Sequence, residues 1–90
     1  MSATLIVRHP VADYATWLVA YESAAPIQAK HGVTSSQILR MPDNGNDVTV
    51  IHGFDTVEQA QSLANDPDLK SAMERGGVAG PPRIEIFVNA

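Results

Sequence analysis

The side chains that could do chemistry are few and unevenly distributed. The chain holds three histidines, one tryptophan and two tyrosines, and four of these six, His9, Tyr14, Trp17 and Tyr21, fall within RHPVADYATWLVAYE, residues 8 to 22. A neutral imidazole in a cavity can take a proton from a phenol or an acidic carbon near neutral pH. His9 and His52 are therefore the candidate catalytic residues, and the plainer alternative for each is a histidine at a strand end bonded to backbone or water. Tyr14, Trp17 and Tyr21 have flat apolar bodies with polar tips, which suit the wall of a pocket for a flat ligand. The same stripe at helical spacing also serves as ordinary core. Phe54 and Arg83 complete the candidate substrate contacts. Arg83 could anchor an acidic group or hold developing negative charge, or it could pair with a carboxylate such as Glu85; Arg8 and Arg40 share these two readings. Asp13 reads as a helix cap, and His31, just before Gly32, as a complement to a helix dipole.

These residues need elements to position them. Residues 3 to 9, ATLIVRH, are aliphatic and β-branched and stop at Pro10, so they form a first strand. From Tyr14 the apolar spacing becomes helical, with Tyr14, Leu18, Tyr21 and Ala25 on one stripe, Trp17 on its flank, and Thr16, Glu22 and Ser23 pointing away. Pro26 predicts a kink or break before a last turn through Lys30. Residues 33 to 41 read as a more polar strand near a sheet edge. PDNGND is a turn signal in which Asn44-Gly45 tolerates positive φ, so the chain doubles back into a third strand, 47 to 54. Thr56 and Gln59 have capping-box spacing, with Val57, Ala60, Leu63 and Ala64 as the buried face of a second helix. Asp66 caps a further short helix with Pro67 in its first turn and Leu69, Ala72 and Met73 inward. GGVAGPP forces a loop, either a mobile flap or a simple connector, before a final strand at 83 to 89.

The order is strand, helix, strand, strand, helix, strand. Two such split units predict a single α+β domain spanning residues 1 to 90, a ferredoxin-like βαββαβ fold with a four-stranded antiparallel sheet and both helices on one face. If the first and third strands are antiparallel neighbours, a register pairing Leu5 with His52 and His9 with Val48 puts Leu5, Val7, His9, Val48, Val50 and His52 on one face. The two histidines then lie roughly 13 Å apart, too far to share one metal. Leu5, Ile6 and Val7, and likewise Val48, Val50, Ile51 and Phe54, leave apolar groups on both faces of their strands, which predicts a second layer over the bare face. The simplest such layer is a second copy of the chain in a twofold homodimer.

Composition narrows the function. At 90 residues folding buries roughly 60 to 65 per cent of the surface, so the core is thin. Six basic against ten acidic side chains give a net charge of −4, with no Lys/Arg block for a run of phosphates, so nucleic acid is not the expected partner. The absence of cysteine removes disulfides, thiolate nucleophiles and sulfur metal sites. The opening MSATLIVRHP is too brief for a signal peptide, and no stretch approaches a membrane span, so a soluble cytoplasmic protein is expected. There is no GxSxG elbow, GxxxxGK[ST] loop or HExxH, and GGVAGPP leads into a strand rather than a helix, which rules it out as a phosphate cradle of the dinucleotide type.

The spacing of His9, Val11, Asp13, Tyr14 and Trp17, the later FDTVEQA and the GGVAGPP loop resemble small members of the dimeric α+β barrel superfamily, in particular its antibiotic-biosynthesis-monooxygenase-like group. The resemblance covers nearly the whole chain. It implies a ligand cavity between sheet and helices in each subunit. It also implies a choice of activities: cofactor-independent monooxygenation of polyketide-type aromatics, haem degradation, isomerisation and cyclisation all occur on this fold. Haem-degrading relatives ligate iron through a histidine on the second helical segment, and residues 56 to 76 here contain none. The reading is a homodimer that binds a small aromatic or apolar molecule and acts as a monooxygenase with no metal site and no cofactor. The alternatives are a cyclase or isomerase, or a noncatalytic dimeric binding or stress-response module.

Overall fold

The computed structural model describes residues 2–90. The first strand β1 (Ala3–Pro10) leads into helix α1 (Tyr14–Ser23), a short helix α2 (Ala25–Lys30), the hairpin β2 (Ser35–Met41) and β3 (Asn44–Phe54), helices α3 (Val57–Ala64) and α4 (Pro67–Arg75), and the last strand β4 (Arg83–Val88). The four strands form one antiparallel sheet in the order β2-β3-β1-β4, so the polar second strand is an edge, as its sequence predicts. This is the expected α+β ferredoxin-like arrangement.

Local chemistry explains most boundaries. The Asp13 carboxylate accepts from the Thr16 N–H and starts α1. Thr56 and Gln59 form the expected capping box on α3, each side chain bonding the other residue's backbone N–H. Asp66 accepts from the Asp68 N–H and opens α4, with Pro67 in the first turn, where its missing donor costs nothing. The disruption expected at Pro26 is a break: α1 stops at Ser23 and α2 restarts at Ala25 with the proline in its first turn.

Two details differ from the sequence reading. Trp17, expected on the flank of α1, is its one buried residue, and Ala24 rather than Ala25 continues the buried stripe because α1 has already ended at Ser23. The hairpin turns at Pro42-Asp43 instead of Asn44-Gly45; Met41 pairs with Asn44, and the register shifts between Arg40 and Met41. Among the described residues only Gly32 and Gly77 have positive φ. At Gly45 the Arg40 guanidinium packs against the backbone, its Nε donating to the Gly45 carbonyl at 2.9 Å, and a Cβ there would push that exposed side chain aside. The bulged segment this creates reaches across to α1, where the Asn46 side chain accepts from the Tyr14 N–H at 3.0 Å.

The core lies between the sheet and the helices in two neighbouring clusters. Ala3, Leu5, Val7, Phe54, Ala60 and Leu63 make one, and Val11, Trp17, Val48 and Val50 make the other. Leu63 of α3 is fully buried on β1. Leu63→Ala is expected to cost about 2–5 kcal/mol and Thr56→Ala about 1 kcal/mol, measured by urea denaturation. Equal, negligible effects would contradict this packing.

Candidate active site

The β1–β3 ladder has the register considered above for antiparallel neighbours, Leu5 opposite His52 and His9 opposite Val48. Alternation along each strand then turns His9 and His52 toward the helices together with Leu5, Val7, Val48 and Val50. Both histidines are buried, 3% and 5% exposed. Trp17 and Tyr21, one helical turn apart on α1, fill the space between them. The His9 and Trp17 rings meet edge to face with centroids 5.8 Å apart, Trp17 stacks on Tyr21 at 5.0 Å, and Tyr21 lies parallel to His52 at 6.1 Å. The column continues outward through Tyr14, whose ring lies beside Trp17 and under the Arg40 guanidinium, 3.7 Å from its centroid.

Beside this column is a small chamber of about 50 Å³ lined by His9, His52, Trp17, Tyr21, Leu69 and Met73, among others. A buried polar atom normally has a partner. Here the His9 Nδ1 and the Tyr21 hydroxyl are buried with none. His52 is oriented by the edge strand, with its Nδ1 3.0 Å from the Ser36 hydroxyl, which can donate to one tautomer or accept from the other. Burial disfavours the charged imidazolium and holds both rings below the ordinary histidine pKa. For His9 this outweighs the opposing pull of nearby backbone and of Asp47. Two neutral imidazoles, each able to accept or donate a proton, thus border one apolar space.

The other candidates fall elsewhere. Tyr14 sits at the outer end of the column and does not line the chamber. Phe54 is 2% exposed and packed in the core with Leu5 and Leu63. Arg83 lies on the opposite sheet face, where its Nε meets a Glu85 carboxylate oxygen at 3.0 Å, and Arg8 forms a two-pronged pair with Asp47 at 3.1 and 2.8 Å. His31 does more than face a helix end. Its Nε2 is 2.6 Å from Asp66, tying α2 to the cap of α4, and this bond and the Asp68 N–H hold the Asp66 carboxyl below its usual range. The GGVAGPP loop is anchored over its first half. Val11 and Val78 form a β-bridge, Gly77 accepts from the Ala12 N–H, and the Ala79 N–H donates to Pro10. Sequence reasoning missed Leu69 and Met73 as chamber residues and Ser36 as the partner of His52. The inward face of α4 was legible as core, but a periodic pattern does not say whether the space it faces is filled.

No family model matches the sequence, and no curated protein does either. Solved structures do. SnoaB, a cofactor-independent oxygenase from Streptomyces nogalater, superposes with a TM-score of 0.79 at 15% identity over 99% of this chain and 93% of that one. A candidate antibiotic biosynthesis monooxygenase from Bordetella bronchiseptica gives 0.81 at 15% identity, covering 99% and 97%. Another from Caulobacter crescentus gives 0.78 at 18% identity, covering 99% and 90%. The expected kinship is therefore present as a shared fold. Among the described residues no helix is long and apolar enough to cross a membrane, and no three His, Cys, Asp or Glu side chains group as a metal site.

Because His9 and His52 hold protons less readily folded than unfolded, the unfolded chain binds more protons once the pH drops below about 6.5, and stability falls with pH there. Asp13, Asp47 and Asp66 have lowered folded pKa values and add a second loss below about pH 4. In melting curves taken across pH, the double variant His9→Gln/His52→Gln is expected to flatten the decline between pH 7 and pH 5 and to leave the acid-end loss in place. An undiminished decline in that variant would contradict the assignment.

Proposed function

We propose that the chain binds a small aromatic or apolar molecule in the chamber beneath its helices and oxygenates it without a cofactor, as a homodimer. The observation that carries this reading is the pair of buried, neutral imidazoles facing one apolar space, one of them with an unpartnered nitrogen. The fold shared with SnoaB, described as a cofactor-independent oxygenase, adds support.

The chemistry follows from what such a group can do. A neutral imidazole removes a proton from a phenol or an activated CH₂, and the apolar walls keep the resulting anion reactive. That anion gives one electron to dioxygen, the two radicals join as a peroxide, and loss of water leaves a carbonyl. A CH₂ and O₂ become C=O and H₂O, with the substrate as sole reductant. Trp17 and Tyr21 offer a flat wall for the ring, and the Tyr21 hydroxyl offers a hydrogen bond.

The homodimer rests on the other side of the sheet. Ile6 and Ile51 are cross-strand neighbours there, and Leu39 and Phe87 are exposed at 43% and 49%. An apolar sheet face of this kind is stabilised when a second sheet covers it. The size of the chamber favours the competing reading, a noncatalytic binding or stress-response module, since about 50 Å³ holds a few waters and not an aromatic ring.

Oxygen uptake with a panel of phenols and anthrone-type polyketide mimics separates the two. The proposal expects uptake by the purified chain, lowered roughly 10²- to 10⁴-fold in His9→Gln or His52→Gln, whichever histidine is the base. A panel that binds without uptake would favour the binding module, and one that does neither would overturn both readings of the chamber. Light scattering is expected to give twice the chain mass, and a monomer at micromolar concentration would remove the dimer.

A further inference from the structure

A second, larger space lies directly outside the chamber. It is an open groove of about 340 Å³ between α4 and β4, floored by Val7 and Ile84, with Pro82 at one end and Lys70 at the rim. Val7, Leu69 and Met73 line both spaces. These three side chains are thus the partition between them. Leu69 and Met73 stand four residues apart on the inner face of α4 and are only partly buried. Met73 is unbranched, with three rotatable bonds, so it can change rotamer without moving the helix backbone. Val7, by contrast, is fixed in the sheet.

We infer that the groove is the outer half of the ligand site, with Met73 as the specificity-determining gate, and that the ligand is an elongated molecule with an aromatic head and an apolar tail. This rests on the proposed function, because it takes the inner chamber as the place where the head reacts. Three observations point to a small molecule as the occupant. The chamber alone is too small for an aromatic ring, the groove has the volume of a small-molecule pocket, and only the Val7, Leu69 and Met73 side chains stand between the two. The walls of the groove are almost wholly apolar, and its two charges, Lys70 and Glu74, oppose one another at the rim. An uncharged tail suits it better than an acidic one. With Met73 swung aside, the head reaches the His9–Trp17–Tyr21 wall while the tail lies along Val7 and Ile84.

The chain supplies its own reporter, since Trp17 is its only tryptophan and lines the chamber. The probes are phenol, 4-ethylphenol, 4-butylphenol and 4-heptylphenol, titrated against Trp17 emission excited at a wavelength the phenols do not absorb. Affinity is expected to rise with tail length, by up to roughly fourfold for each methylene buried. Ile84→Glu changes a residue that is 41% exposed and outside the chamber lining, so folding is expected to persist. It should weaken 4-heptylphenol at least tenfold while phenol binds as before. Met73→Ala should admit every member more readily, and Met73→Phe should exclude them. Equal affinities along the series, or an Ile84→Glu variant that binds 4-heptylphenol unchanged, would overturn the inference and leave the chamber reading standing. A change of oligomeric state in Ile84→Glu would assign the groove to a subunit contact and overturn it too. If no phenol alters Trp17 emission, the chamber reading itself fails and the inference with it.

Discussion

Side chains alternate between the two faces of a strand, and the antiparallel pairing of β1 with β3 turns that alternation into the constraint on which the site depends. Leu5 opposite His52 and His9 opposite Val48 put both imidazoles on the face that α1, α3 and α4 cover. A slip of one residue in β1 would carry His9 to the other face, away from His52, and bring Ile6 and Arg8 to the helix side in place of Leu5, Val7 and His9, burying a guanidinium away from Asp47. The register is held from several directions at once. Apolar burial favours it on the helix side, and the Arg8–Asp47 pair and the Asn46 contacts to α1 secure its far end.

Placing histidine, tyrosine and tryptophan in the interior has a cost that leucine and valine would avoid. Part of it is offset by ring contacts along the column and by the Ser36 hydroxyl on His52. The His9 Nδ1 and the Tyr21 hydroxyl remain uncompensated. A chain of 90 residues has little stability in reserve. Both polar atoms border the chamber, whose volume of about 50 Å³ has room for water to meet them.

Most of the fold was legible in the sequence because it is written in local chemistry. The caps at Asp13, Thr56 and Asp66, the break at Pro26 and the β1–β3 register all follow from residues close together or from strict alternation. The misreadings concern the hairpin turn and His31. Asn44-Gly45 has the composition of a reversed turn, yet the chain turns two residues earlier, at Pro42-Asp43, and Asn44 and Gly45 already belong to β3. His31 looks like a dipole partner until Asp66, 35 residues away, is brought beside it. Within the site, His9, His52, Trp17 and Tyr21 were found by type and periodicity. Phe54 and Arg83 lie outside the chamber lining because a strand's apolar and charged residues do not reveal which of them meets a filled core, an open face or a cavity.

The claim at the centre is that His9 and His52 are uncharged near neutral pH because burial between the sheet and the helices disfavours their imidazolium forms. Long-range ¹H–¹⁵N correlation spectra of the uniformly ¹⁵N-labelled protein, recorded across pH, read the protonation and tautomer of each imidazole directly. The structure predicts that both rings titrate below the ordinary histidine range. Two rings that titrate at or above about 6.5, as free histidine does, would contradict it.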